Sequence, residues 1–324
     1  MTVHLPAVAG YPALAGALAE AGLGVGDIVH LTEYVTSPVL SLAPARRIAL
    51  AGHRVPVSRV PVEAVVGSSA AYALGVSAHP GGGTLLTGGT DAVRVADGLV
   101  HLPGVHTTAG EFREQYRWCL DRIAALLDLA GLTPAALVRT VDYTATATRA
   151  EYPRCGRPRR DVLGPGPVHP GAAGILVDLP VEPGARVALD ALAATGPLSV
   201  VNPGWERYET LTYKPAVRAG DKLILSGFGA LDPVTQVALH AGDLVAQAEY
   251  LYASIETVLA AAGASGSRVT SLIEYVTPDA VADYPRTRAL RERHFPNAAV
   301  TAVVCSALLR PEFMLETIPA VVPA

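Results

Sequence analysis

The chain of 324 residues is 50% hydrophobic, with a formal net charge of -4 and three cysteines. That length suits two or three domains with apolar material for a core in each, and the slight negative charge supplies no global attraction for nucleic acid. Cys119, Cys155 and Cys305 are odd in number, far apart and in no metal-ligand pattern, which argues for reduced thiols and against a disulfide scaffold.

The opening residues MTVHLPAVAGYPALAG carry no basic region, and no apolar run reaches the ~18 residues of a membrane span. A soluble, cytoplasmic protein is the expectation. Residues 1–79 predict a helix over 13–21, a strand over 28–36, a helix over 45–51 and strands over 57–66 and 72–78, with no opening hairpin. Pro80-Gly-Gly-Gly83 reads as a linker, because consecutive glycines lose much entropy when ordered inside an element. Residues 84–194 predict strands over 91–94 and 99–102, a helix over 111–129, a strand over 136–144, a Pro- and Arg-rich loop, and strands over 172–179 and 185–191. Residues 205–324 predict strands over 216–218 and 222–226, a helix over 245–262, a strand over 268–277, a helix over 283–295, and strands over 300–308 and 313–318. This β-β-α-β-α-β-β order places two helices on one face of a mixed sheet, an α+β layer.

One pattern recurs: Tyr11 to Tyr34, Tyr116 to Tyr143 and Tyr250 to Tyr275 each run from an apolar helix through an Ala-Gly stop into a strand ending on tyrosine. Glycine suits the stop because a left-handed helix terminus costs it nothing. Tyr34, Tyr143 and Tyr275 are therefore equivalent, and their intervals are domain-sized rather than the ~20 to 50 residues of a solenoid. The expected organisation is a truncated half domain (1–79), a degenerate domain (84–194) and a complete domain (205–324). Strands apolar on both faces call for a cover, which the sheets of the other copies would supply.

The third copy carries Tyr213-Lys-Pro-Ala-Val217, Leu225-Ser226-Gly227, Gly242-Asp243 with Gln247, Ala261-Ala-Gly263 and Leu315-Glu316-Thr-Ile-Pro-Ala320. In this order and spacing, over 213–320, it resembles the RidA/YjgF family of reactive-intermediate (imine and enamine) deaminases, formerly labelled L-PSP endoribonucleases. The resemblance implies chorismate-mutase-type α+β domains, here packed as an intramolecular pseudo-trimer around a central barrel with clefts between copies. It also implies a glutamate on the last strand that orients water and an arginine on the penultimate strand that holds a carboxylate. Glu316 falls on the glutamate, Tyr213 on an active-site tyrosine and Ser226 on a pocket serine. The arginine position falls at Val300, beside Thr301, so Arg288 or Arg293 on the preceding helix, or Arg59 from the first copy, would have to supply the cation. In the second copy the glutamate position falls on Ala188, the arginine on Gly171, the tyrosine on Gly89 or Thr90 and the serine on Leu102 or Pro103. In the first, the two main positions fall on Ala73 and Ser58. One cleft alone is expected to work.

A carboxylate in the apolar strand FMLETI is expensive to bury and rarely serves packing, which makes Glu316 the candidate general acid or base. Cys305 reads as a small buried hydrophobe. The run Arg154-Cys-Gly-Arg157-Pro-Arg159-Arg160 lacks interleaved aromatics and reads as a solvated loop. His101 and His106 show no metal spacing, and no P-loop lysine follows the glycine-rich pieces, so no metal, nucleotide or other cofactor is expected. The expected function is a diverged RidA-like enzyme acting on a small reactive imine, enamine or related polarised intermediate by hydrolysis, tautomerisation, cyclisation or dehydration, in secondary metabolism. The alternatives are a chorismatase-like hydrolase, whose two-carboxylate substrate would demand basic residues in the cleft, and a non-catalytic binding or regulatory module. A small-molecule substrate is the expected partner, with no nucleic acid and no membrane, in a pseudo-trimeric monomer or small homo-oligomer.

Overall fold

The structure is a computed structural model that describes residues 2–37, 40–166 and 168–324. The first repeat holds β1 (Val3–Val8), α1 (Tyr11–Glu20), β2 (Ile28–Val35), α2 (Ala43–Ala49), β3 (Val57–Pro61), β4 (Ala64–Val65) and β5 (Tyr72–Ala78). The second holds β6 (Thr84–Gly88), β7 (Asp91–Ala96), β8 (Leu99–His101), β9 (Val105–His106), α3 (Phe112–Asp128), β10 (Leu137–Ala145), α4 (Gly156–Leu163), β11 (Gly171–Val177) and β12 (Val187–Ala194). The third holds β13 (Leu198–Val201), β14 (Ala216–Ala219), β15 (Lys222–Leu225), α5 (Leu244–Ala261), β16 (Ser271–Val276), α6 (Arg288–His294), β17 (Ala299–Val304), β18 (Ala307–Leu308), β19 (Leu315–Pro319) and β20 (Val322–Pro323).

The Ala-Gly stops end α1, α3 and α5 as their chemistry requires, with Gly22, Gly131 and Gly263 at φ +72, +67 and +74. Asp243 caps α5 by accepting from the backbone N–H of Ala246 at 3.0 Å. Five expected elements are corrected. The first repeat opens with a strand, β1, which pairs antiparallel with β5. The strands expected over 57–66 and 300–308 each break in two, and the helix over 283–295 is a 3-10 turn, Tyr284–Thr287, followed by α6. The Pro- and Arg-rich segment is helical, as a 3-10 stretch (Thr146–Cys155) and α4.

The architecture is mixed α+β with six α-helices, and among the described residues the sheets stay separate rather than closing into the expected central barrel. The broken strands explain why. After each break the chain leaves its own sheet: β4 pairs with β17 of the third repeat, and β18 with β11 of the second. Ladders of two residue pairs are too short to carry a continuous sheet round the molecule, so side chains close the seams. Each repeat packs its helices on its own sheet, and a separate cluster joins all three through Tyr34, Val60, Tyr143, Ile175, Tyr275 and Val303. There the hydroxyls of Tyr143 and Tyr275 lie 2.9 Å apart.

A second threefold feature sits one residue before each tyrosine. Glu33, Asp142 and Glu274 are buried carboxylates. Each accepts from a helix tyrosine: Tyr11 to Glu33 at 2.6 Å, Tyr116 to Asp142 at 2.7 Å and Tyr252 to Glu274 at 2.6 Å. Each also faces an arginine of the following helix, Arg46 at 2.9 Å, Arg159 at 3.9 Å and Arg291 at 3.0 Å. A buried carboxylate is tolerated only when paired and hydrogen-bonded, so these triads fix each helix pair to its strand.

Candidate active site

The strand register gives the three repeats a common ruler. Tyr275 stands opposite Glu316, Tyr143 opposite Ala188 and Tyr34 opposite Ala73. Three residues earlier, Leu272 pairs with Val300, Thr140 with Ala172 and Leu31 with Val57. The counterparts of Val300 are therefore Ala172 and Val57, each one residue from Gly171 and Ser58, and none is an arginine. Gly227 N donates to Ala172 O at 3.0 Å and Gly104 N to Val57 O at 3.2 Å. Those matching levels make Gly104 the partner of Gly227, and Pro103 that of Ser226.

Glu316 lies on β19, 6% exposed, at one end of a cleft of about 510 Å³ between the second and third repeats. Its Oε1 accepts from Gly174 N at 3.3 Å, and burial pushes its carboxyl up to about 8. The acid therefore spends neutral pH largely protonated. Room for it depends on Gly227, where a Cβ would stand 2.4 Å from Glu316 Oε1. Tyr213 lines the same cleft with its ring edge-on to Tyr208 at 5.6 Å. Burial raises the Tyr213 phenol, while nearby Arg310, Arg207 and Arg159 oppose the shift.

Four arginines line this cleft: Arg159 and Arg160 from α4, Arg207 from the connection after β13, and Arg310 from the turn before β19. Arg207 and Arg310 are exposed, whereas Arg159 is buried. Its guanidinium donates to Tyr116 Oη at 3.1 Å, Thr140 Oγ1 at 3.0 Å and Thr212 O at 3.3 Å. This corrects the reading of 154–160 as a solvated loop: one arginine of the run is a buried anchor at the cleft wall. Tyr152, also in the wall, donates to Asp142 at 2.9 Å.

The other candidates lie elsewhere. Ser226 is buried outside the lining, its hydroxyl donating to Lys214 O at 2.7 Å and accepting from Ala172 N at 2.9 Å, so it ties two repeats together. Arg288 is exposed and paired with Glu292 at 2.7 Å, and Arg293 with Glu249 at 2.5 Å. Arg59 donates to Leu40 O at 2.6 Å in the first repeat. Val300 packs against the core under α5. Thr301 is buried and accepts from Ala7 N at 3.0 Å. Arg288, Arg59, Val300 and Thr301 therefore all fall outside the Glu316 cleft, and its cations come from α4 and two connecting loops instead. Cys305 is buried in the three-repeat cluster with its thiol pushed up by burial, and His106 meets Glu182 at 3.0 Å. Among the described residues, no three His, Cys, Asp or Glu side chains converge to hold a metal.

No protein-family profile and no curated protein matches the sequence. Among solved structures the chain is similar to a chorismatase, with 17% identity and a TM-score of 0.65 over 92% of this chain and 93% of that one. Its parts are similar to a YjgF/YER057c/UK114 family member from Mycobacterium tuberculosis, with 22% identity and a TM-score of 0.33 over 40% of this chain and all of that one. They are also similar to RidA from the Antarctic bacterium Psychrobacter sp., with 25% identity and a TM-score of 0.32 over 36% of this chain and 90% of that one. The fold is thus chorismatase-like over nearly the whole length.

Proposed function

We propose that this chain, whose fold is chorismatase-like, is a hydrolase of small enol-ether dicarboxylates such as chorismate, working in the one cleft that contains Glu316. The observation that carries this reading is the pairing of a buried carboxyl, pushed up to about 8, with Arg159, Arg160, Arg207 and Arg310 in the same cleft. A protonated acid can deliver its proton to carbon, and guanidinium groups hold carboxylates in bidentate fashion.

The chemistry balances on these groups. The Glu316 carboxyl gives its proton to the terminal methylene of the enol ether, whose π electrons form the new C–H bond and leave an oxocarbenium ion. Water adds to that carbon and its proton returns to the Glu316 carboxylate. The hemiketal then collapses: its bond to the ring oxygen breaks, the proton of its hydroxyl passes to that oxygen, which leaves as an alcohol, and the side chain departs as pyruvate. The arginines hold the two carboxylates, and Tyr213 borders the reacting end. The segments 1–79, 84–194 and 205–324 serve in this reading as three members of a pseudo-trimer with a single working seam.

Imine hydrolysis is the second reading, favoured by Glu316 on the last strand and weakened by the absence of a guanidinium at Val300. The deciding experiment is pyruvate release from chorismate by wild type and Glu316→Gln. Release by wild type that the variant loses supports the enol-ether reading. No release, with accelerated ammonia formation from 2-imino acids instead, would replace it with the imine reading, and neither reaction would leave a binding module.

A further inference from the structure

The cleft does not account for a smaller cavity of about 130 Å³ at the middle of the molecule, walled by strands of all three repeats. Its walls carry His4 from β1, His30 from β2, His101 from β8, Arg139 from β10 and Asp190 from β12. At the levels of Arg139 and Asp190 the third repeat has Ser271 and Ile318. The imidazoles and the charged groups thus come from the first two repeats and are not required by the repeat.

Arg139 lines the cavity and is deeply surrounded by protein. Among the described residues its guanidinium makes one hydrogen bond, to Pro319 O at 2.8 Å, and it is in no ion pair. Asp190 is engaged by Ser58 and Tyr143 and attracted by Arg139 across the cavity, without an ion-pair contact, and burial pushes its carboxyl up to about 6. His101 is 4% exposed, and its Nε2 has no hydrogen-bond partner. The Nε2 of His4 is equally unpartnered, while its Nδ1 lies 2.9 Å from Ser77 Oγ. With Ser77 donating to Nδ1, His4 carries its proton on Nε2. Burial lowers all three imidazoles, His4 and His30 to about 4, so at neutral pH they are neutral donors and acceptors.

A desolvated guanidinium with uncommitted N–H groups is strongly unfavourable unless an acceptor meets it. We infer that the central cavity is a binding site for a small monovalent anion, halide- to acetate-sized, held by the Arg139 guanidinium and by the unpartnered Nε2 atoms of His4 and His101, each in the tautomer that places its proton there. A cavity of about 130 Å³ holds roughly four waters, enough for such an ion with residual water and too little for an enol-ether dicarboxylate. The site is independent of the Glu316 cleft.

The test uses the full chain and bromide. Crystals soaked in sodium bromide should give an anomalous peak within hydrogen-bond distance of Arg139 and His101. In solution, the Tm of wild type should rise with the logarithm of bromide concentration above the site's Kd, by linkage, beyond the common salt effect seen in Arg139→Met and His101→Phe. His101→Phe keeps the comparison open if Arg139→Met does not fold. Only water in the cavity, or peaks confined to the arginine-lined cleft, would overturn the inference. So would a central peak with the same salt dependence in wild type and His101→Phe, which would mean an adventitious ion only.

Discussion

The seam around Glu316 and the seam around Ala188 are built on the same ruler and end with opposite contents. In both, the last-strand residue stands opposite a buried tyrosine, and a glycine N–H reaches the preceding repeat's parallel strand at the same level. At one seam a carboxyl occupies the position and four arginines line an open cleft beside it. At the other, Ala188 is buried in the three-repeat apolar cluster, and Asp190, two residues further along the strand, lines the central cavity. The backbone frame permits a site at each seam, and it is the side chains and the segments inserted around the frame that make one of them. The segment Thr146–Leu163 and the connection after β13 deliver Arg159, Arg160 and Arg207 to the Glu316 side alone.

The comparison breaks most sharply at Glu316. Glu316→Gln should lower kcat on the true substrate by about 10³-fold with the fold intact, since general acid catalysis contributes on the order of 10² to 10⁴; a variant keeping a tenth of its turnover would remove the carboxyl from the chemistry. Because the protonated form acts, kcat/KM should fall as pH rises through about 8. The stability effect has a definite sign. The folded carboxyl holds its proton up to about 8 and the unfolded one releases it near the ordinary value of about 4.3, so the native state loses stability as pH rises between them. Glu316→Gln should therefore gain stability over wild type at pH 8, on the order of a few kcal/mol, and show no gain at pH 4 in thermal melts.

The converse substitution, Ala188→Glu, should create no second site and should cost about 3 kcal/mol in denaturant unfolding, as an uncompensated buried charge does. New turnover in an Ala188→Glu, Glu316→Gln double variant would show that the frame alone suffices. Smaller effects should follow at the rim, where Arg207→Ala and Arg310→Ala raise KM about tenfold each with kcat little changed, one charge-assisted hydrogen bond being worth about 1.4 kcal/mol or more. An unchanged KM in both would take the rim arginines out of binding. Smallest is Tyr143→Phe, which removes one hydroxyl from the pair with Tyr275 and should cost about 1 kcal/mol without changing KM.

Much of this frame was legible in the sequence. The Ala-Gly stops and terminal tyrosines marked equivalent positions, and the resemblance to the RidA/YjgF pattern, carried from copy to copy, led to Glu316, Ala188 and Ala73, which the ladders place at one level. The positions matched to the arginine, Gly171 and Ser58, lie one residue from the ladder counterparts of Val300, because the register of a parallel strand is set across a long, variable crossover that carries no periodic signal. The arginines were missed for a different reason. Arg207 and Arg310 are single residues on irregular connections, and Arg159 sits among prolines and glycine that mask a helical turn. The triads of Glu33, Asp142 and Glu274 were likewise invisible, since each joins a helix, a strand and a second helix at separations no short pattern spans.

The short exchanged strands carry a kinetic consequence. Glu63, beside β4, accepts from Ser306 Oγ at 2.5 Å across a sequence separation of 243 residues, and β4 and β18 complete their ladders only when distant parts of the chain have met. Closing so long a loop costs entropy before any contact rewards it, and folds rich in such contacts form slowly. The last event in folding should therefore be the mutual docking of the three repeats, and refolding should show a slow phase that Ser306→Ala, by weakening the exchanged strand at its edge, lengthens further.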